Sequence, residues 1–64
     1  MENRLKELRQ EKNLAQKQVA ALLNMSQTGY SKYETGENDI PTKILIKLSE
    51  IHEVSVGYLL GVED

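Results

Sequence analysis

Residues 16–35, QKQVAALLNMSQTGYSKYET, read as two short helices joined by a tight turn at Asn24. With the turn there, the apolar residues Val19, Leu23, Met25, Tyr30 and Tyr33 point to one side. Ala20 is small and stands where two helices must cross closely. A turn this tight needs a residue at positive φ, a conformation that glycine enters most easily and asparagine next. Ser26 brings the side-chain oxygen that caps the second helix of the pair, and Gly36 is placed to end it. That helix is predicted over Gln27 to Thr35.

Outward from this stretch the helical period continues in both directions. Leu5, Leu8 and Lys12 at i, i+3, i+7, with charges between them, predict an amphipathic helix over residues 2 to 12, ended by Asn13. The next helix is predicted from about Ala15 to Leu23, burying Val19, Ala20 and Leu23. Ala15 has no capping oxygen, so a capping box between Asn13 and Gln16 is expected. Beyond Gly36, residues Glu37 to Ile40 read as a polar loop. Pro41 suits the first turn of a fourth helix, where a missing N–H costs nothing. That helix runs to about His52, with Ile44, Leu45, Leu48 and Ile51 at core spacing and His52 expected in solvent. Ser55 caps a fifth helix, Val56 to Leu60, closed by Gly61. Nothing alternates with the period of a strand. The fold class is all-α: five short helices around one core, one domain over residues 1–64. That is close to the lower size limit for a chain that folds on its own core.

Composition narrows the function. There is no cysteine, which excludes disulfides and thiolate metal sites and is compatible with a reducing compartment. The longest apolar run, Val19 to Leu23, is far short of a membrane span, and the charged start MENRLKELRQEK has no secretory core. A cytoplasmic location is expected. The triplet Asn24-Met25-Ser26 fits the glycosylation pattern, which has no bearing without a signal peptide. Net charge is −2, but its distribution is uneven. Residues 1–11 balance to zero, residues 12–33 carry Lys12, Lys17 and Lys32 with no acid, and residues 34–64 sum to −5. A phosphate surface meets the positive segment locally, because charges beyond about 10 Å are screened at physiological salt. Two amphipathic helices set at a sharp angle around a short turn form a helix-turn-helix unit, whose second helix fits the DNA major groove. The positive segment and this unit coincide.

In order, these pieces resemble the Cro/repressor-type (lambda-repressor-like, XRE) helix-turn-helix family of bacterial and phage regulators. RLKELRQEKNLAQKQVAALLNMSQTGYSKYETGENDIP is similar to the family's first three helices and the loop after them, and LIKLSEIHEVSVGYLLG to its closing pair. Several positions depart from the family pattern. Ala15 replaces a Ser or Thr cap, Asn24 a Gly, and Gly57 a frequent Asp. Tyr30 stands where a branched aliphatic residue is commoner, so its hydroxyl should reach the surface or a partner. Gly29 replaces a small hydroxyl residue, which suggests close approach to something, the DNA included. Members often continue into a second domain after a similar Leu-Leu-Gly sequence.

The resemblance implies roles for individual residues. Gln27, Thr28, Ser31 and Lys32 would face base edges: Gln pairs with adenine, Thr touches a thymine methyl and Lys donates to guanine. Gln16, at the start of the second helix, would grip a phosphate and brace the third helix. Ser26, Tyr33, Asn38, Thr42 and Lys43 are further phosphate candidates, which position the protein without reading sequence. Arg9 and Glu34 are implied as a structural ion pair joining helices one and three. Val56, Leu59, Leu60 and Val62 are too many apolar residues for so short a helix to bury, and some are expected in a dimer contact.

The expected function is sequence-specific DNA binding by a transcriptional regulator, a repressor, working as a homodimer on a palindromic operator. The alternative is a protein-binding module of the same fold, such as an antitoxin or anti-repressor, favoured by the acidic second half. An enzyme is not expected. The chain has one isolated His52, no glycine-rich phosphate loop, no metal-ligand spacing, and surface acids such as Glu50 and Glu53 that nothing desolvates. No cofactor and no metal are implied.

Overall fold

A computed structural model describes residues 2–64, which form five helices and, among the described residues, no strand. They are α1 (Leu5–Glu11), α2 (Gln16–Leu22), α3 (Gln27–Thr35), α4 (Thr42–His52) and α5 (Val56–Leu60).

Local chemistry sets the start of each helix. The predicted first helix begins three residues late, because Asn3 folds its side chain inward instead of extending it. Its Oδ1 accepts from the Leu5 N–H at 3.0 Å, while its Nδ2 donates to the Tyr33 carbonyl at 2.8 Å. The Arg4 N–H is bonded to the Leu59 carbonyl at 2.9 Å, so the segment before α1 is tied to α3 and α5. At α2 the expected Asn13–Gln16 box does not form, since Asn13 sits at φ 57 and ends α1. Ala15 takes the N-cap place without a capping oxygen, and the Gln18 side chain accepts from the Ala15 N–H at 2.7 Å, which is the return half of a capping box. Ser26 and Ser55 cap α3 and α5, accepting from the N–H groups of Gly29 and Tyr58. Pro41 stands one residue earlier than expected, as the N-cap of α4.

The helix ends share one device. Asn13, Asn24, Gly36, Glu53 and Gly61 all adopt positive φ, between 56 and 82. The residues just beyond four of them fold back to the last turn: Leu14 to Arg9, Met25 to Ala20, Val54 to Ser49 and Val62 to Gly57, at 3.0–3.1 Å. These bonds satisfy carbonyls that a helix end otherwise leaves open.

The core consists of Leu5, Leu8, Val19, Ala20, Leu23, Tyr30, Ile40, Leu48 and Leu59. Fully burying one such side chain contributes about 1.5–3 kcal/mol. Three expectations are corrected here. Ile40, expected in a polar loop, is buried and anchors the segment between α3 and α4. Leu59, expected among dimer candidates, is completely buried and belongs to the core. His52 is not solvated: it is 6 % exposed, and neither ring nitrogen has a hydrogen-bond partner. It lies four residues after the fully buried Leu48, so both project from the same side of α4.

Over Gly57 lies the exposed and flexible side chain of Glu63, which a larger residue would simply displace. A Cβ there would stand 2.6 Å from the Glu63 carboxylate, which folds over α5 and accepts from the Ser55 hydroxyl. Glu63 thus brings a negative charge to the start of α5, the end where helix dipoles favour it. Arg4 holds this tail in place. Its guanidinium donates to the carbonyls of Tyr58 at 3.2 Å and Glu63 at 2.8 Å, and stacks 4.3 Å from the Tyr58 ring centre.

Burial, then the neighbouring Lys12, depress the pKa of His52 below its ordinary 6.5, with Glu11 opposing weakly. The unfolded chain takes up the proton at the ordinary value and the folded chain only at lower pH. Stability is therefore full above about pH 6.5 and declines as pH falls through the interval below it. Urea denaturation followed from about pH 8 to about pH 5 should show this decline, and His52→Leu should flatten it.

Candidate nucleic-acid interface

The most extensive helix packing in the molecule is between α2 and α3. Ala20, 2 % exposed, lets their backbones approach, and Asn24 at φ 56 turns the chain between them. Met25 and Tyr33 pack partly buried against the core under α3. Gly29 has an intramolecular reason. A Cβ there would lie 3.1 Å from Met25 Cε and 3.2 Å from Ser26 Oγ, so its bare Cα fits against the turn and the cap.

The angle of α3 is held by its Glu34 carboxylate. Arg9 Nε donates to Oε2 at 2.7 Å and Arg9 Nη2 to Oε1 at 3.2 Å, a forked pair with side chains only 12 % and 4 % exposed. Gln16 Nε2, from the first turn of α2, donates to Oε1 at 3.0 Å. The third Arg9 donor, Nη1, meets the Leu14 carbonyl at 2.8 Å. One carboxylate thus joins α1, α2 and α3. Burial alone would raise the Glu34 pKa, but the hydrogen bonds from Arg9 and Gln16 and the Arg9 charge outweigh it and hold it below the usual carboxylate range. The Tyr30 hydroxyl, expected at the surface or on a partner, is instead buried and has no partner at hydrogen-bond geometry. Burial, then the nearby Glu34 carboxylate, push its pKa well up and keep it protonated.

This bracing presents one face of α3 outward. Gln27, Thr28, Ser31 and Lys32 line a shallow cleft of about 330 Å³ together with Gln16 and Glu37. Four proposed base readers and the proposed anchor therefore share one surface. Glu37 was not foreseen; it follows the Gly36 cap, whose left-handed turn swings the chain back beside α3. The remaining phosphate candidates lie outside the cleft. Ser26 Oγ is occupied by the Gly29 N–H, Tyr33 is half-buried, and Asn38, Thr42 and Lys43 are exposed on the loop after α3 and the first turn of α4. Of the dimer candidates other than Leu59, Val56 and Leu60 are half-buried and Val62 is 78 % exposed. Among the described residues, no group of three or more His, Cys, Asp or Glu side chains could hold a metal, and no helix is long and apolar enough to cross a membrane.

Comparison with known proteins agrees with this geometry. Residues 5–59 match the helix-turn-helix family, and the chain belongs to it, with the lambda-repressor-like fold of its Cro/repressor-type members. Relatives from Bacillus subtilis strain 168 are similar over most of the chain. The HTH-type transcriptional regulator ImmR is 43 % identical, covering 95 % of this chain and 48 % of its own length. The SPbeta prophage-derived uncharacterized HTH-type transcriptional regulator YonR is 42 % identical over 89 % of this chain and 53 % of its own. The uncharacterized HTH-type transcriptional regulator YqaE is 39 % identical, with 92 % and 51 % covered. The chain spans about half the length of the curated relatives it matches. Each of these relatives is named as a transcriptional regulator and none as an enzyme.

The Glu34 brace yields a stability test. Glu34→Ala leaves the Arg9 guanidinium enclosed without its counter-charge and should cost about 3–5 kcal/mol, measured by urea denaturation. The double replacement Arg9→Met with Glu34→Leu should cost clearly less, because neither charge is then left behind.

Proposed function

We propose that this domain is the sequence-specific DNA-binding part of a cytoplasmic transcriptional regulator, a repressor, that places α3 in the major groove of a palindromic operator. The observation that carries the reading is the shared cleft of Gln16, Gln27, Thr28, Ser31 and Lys32 on the one net-positive segment of an acidic chain. Gln27, Thr28 and Lys32 read base edges, Ser31 lies among them, and Gln16 meets a phosphate while its amide braces Glu34. Ser26, Tyr33, Asn38, Thr42 and Lys43 are secondary phosphate contacts. Double-stranded DNA is the partner, and no cofactor takes part. The names of the relatives as transcriptional regulators support this assignment.

Selection of bound sites from random duplex DNA should return a two-fold symmetric sequence. Gln27→Ala should relax preference at one base position per half-site and weaken binding by roughly 1–3 kcal/mol. Binding should fall steeply with salt, as several phosphates displace counterions. The acidic second half of the chain favours a rival reading, an antitoxin or anti-repressor that grips a protein. Absence of any DNA shift at low salt would select that rival.

The regulator acts as a homodimer, with two α3 helices one DNA turn apart, roughly 34 Å. Val62 with the exposed edges of Val56 and Leu60 forms the contact. Sedimentation should show a dimer on operator DNA, and Val62→Asp should shift it toward monomer while leaving the melting curve in place. A strict monomer both free and on DNA would overturn the dimer.

A further inference from the structure

Glu37 is the only acidic side chain lining the α3 cleft, where it stands with Gln16, Gln27, Thr28, Ser31 and Lys32. Its loop is fixed from both sides. Gly36 turns the chain at φ 82, and the Asn38 N–H returns to the Lys32 carbonyl at 3.2 Å. Thr35 Oγ1 bridges the turn, donating to the Lys32 carbonyl at 3.2 Å and meeting Glu37 Oε1 at 3.4 Å. Among the described residues the ion pairs are Arg9–Glu34 and Arg4–Asp64, and none joins Glu37 to Lys32. Glu37 therefore lines the cleft as an exposed residue that, among the described residues, forms no ion pair.

A carboxylate in that place is chemically selective. It can only accept hydrogen bonds. Phosphate oxygens, guanine N7 and O6, adenine N7 and thymine O4 are all acceptors and would repel it. Only the exocyclic amines of cytosine N4 and adenine N6 offer a donor in the major groove. Discrimination between partners arises from such built-in repulsion as much as from attraction. We infer that Glu37 is a specificity-determining residue of the DNA face: it rejects registers that set acceptors against it and admits an amine-bearing base. This inference rests on the DNA-binding reading above.

Site selection from random duplexes with wild-type protein and Glu37→Gln tests it, followed by affinities for the selected and a scrambled duplex at two salt concentrations. Glutamine keeps the shape and removes the charge while adding donors, so it should tolerate acceptors. The variant is expected to lose preference for cytosine or adenine at one position per half-site. It should bind scrambled duplex more tightly, and the ratio of selected to scrambled affinity should fall about fivefold or more. An unchanged preference, with both affinities rising by the same factor, would place the carboxylate against the backbone and overturn the inference. No change in either affinity would put Glu37 off the DNA and also overturn it. If the wild-type protein binds no duplex at low salt, the DNA-binding reading falls and this inference with it. If it binds and Glu37→Gln changes nothing, this inference alone falls.

Discussion

Glu34 helps hold the orientation of α3 because its carboxylate is bonded from both of the helices before it. Arg9 reaches it from α1 with a forked pair of hydrogen bonds, and Gln16 reaches it from the first turn of α2. A short helix of nine residues contributes little stability of its own. Its angle is therefore set by what it packs on and what its ends are tied to. Beneath it lie Val19, Ala20 and Leu23, and the fully buried Tyr30 of α3 turns the inner face of the helix toward this core. The charged clamp adds a directional tie at the far end of the helix, and Gln27, Thr28, Ser31 and Lys32 are left on the outward face. An apolar replacement can restore stability, but it has no fork geometry with which to fix direction.

The five left-handed helix ends are the second constraint. With so few residues, each connection must reverse the chain within a few positions and still satisfy the carbonyls of the turn it leaves. Only two of these positions hold glycine, and Asn13, Asn24 and Glu53 adopt the same conformation with side chains. Asparagine does so at small cost, and glutamate at a larger one. At Asn24 the return bond from Met25 to Ala20 then sets the depth at which α3 starts against α2.

Most of the fold was legible because the helix signals are local. Ser26, Gly36, Ser55 and Gly61 mark ends by chemistry that needs no tertiary partner, and they stand where expected. What escaped the sequence depends on contacts between distant segments. Asn3 shortens α1 because it has the Tyr33 carbonyl to bond, thirty residues away. Ile40 reads as loop by its neighbours Asn38 and Asp39, yet packing under α3 and α4 buries it. His52 reads as polar, although its spacing from Ile44 and Leu48 places it on the buried side of α4. Leu59 belongs to the core because α5 packs against α4 and joins the central apolar cluster. In the cleft, the four α3 residues and Gln16 are named by the family resemblance, not by composition or helical register. Glu37 is not, since its place depends on how the chain leaves Gly36.

The ties made by Arg4 bear on chain order as well as on stability. One side chain near the beginning grips the carbonyl of Glu63 and lies 3.8 Å from Asp64, so residues 4 and 64 meet on the surface. Segments of a domain that lie this close accept a new connectivity. In an engineered permutant of this domain, a short flexible bridge could join the segments around residues 4 and 64, and the chain could be opened elsewhere, for instance at the exposed residues 37–39 between α3 and α4. Such a permuted molecule would keep every helix contact while separating α3 from α4 along the chain. It would show whether the tertiary arrangement depends on the order in which the helices are made.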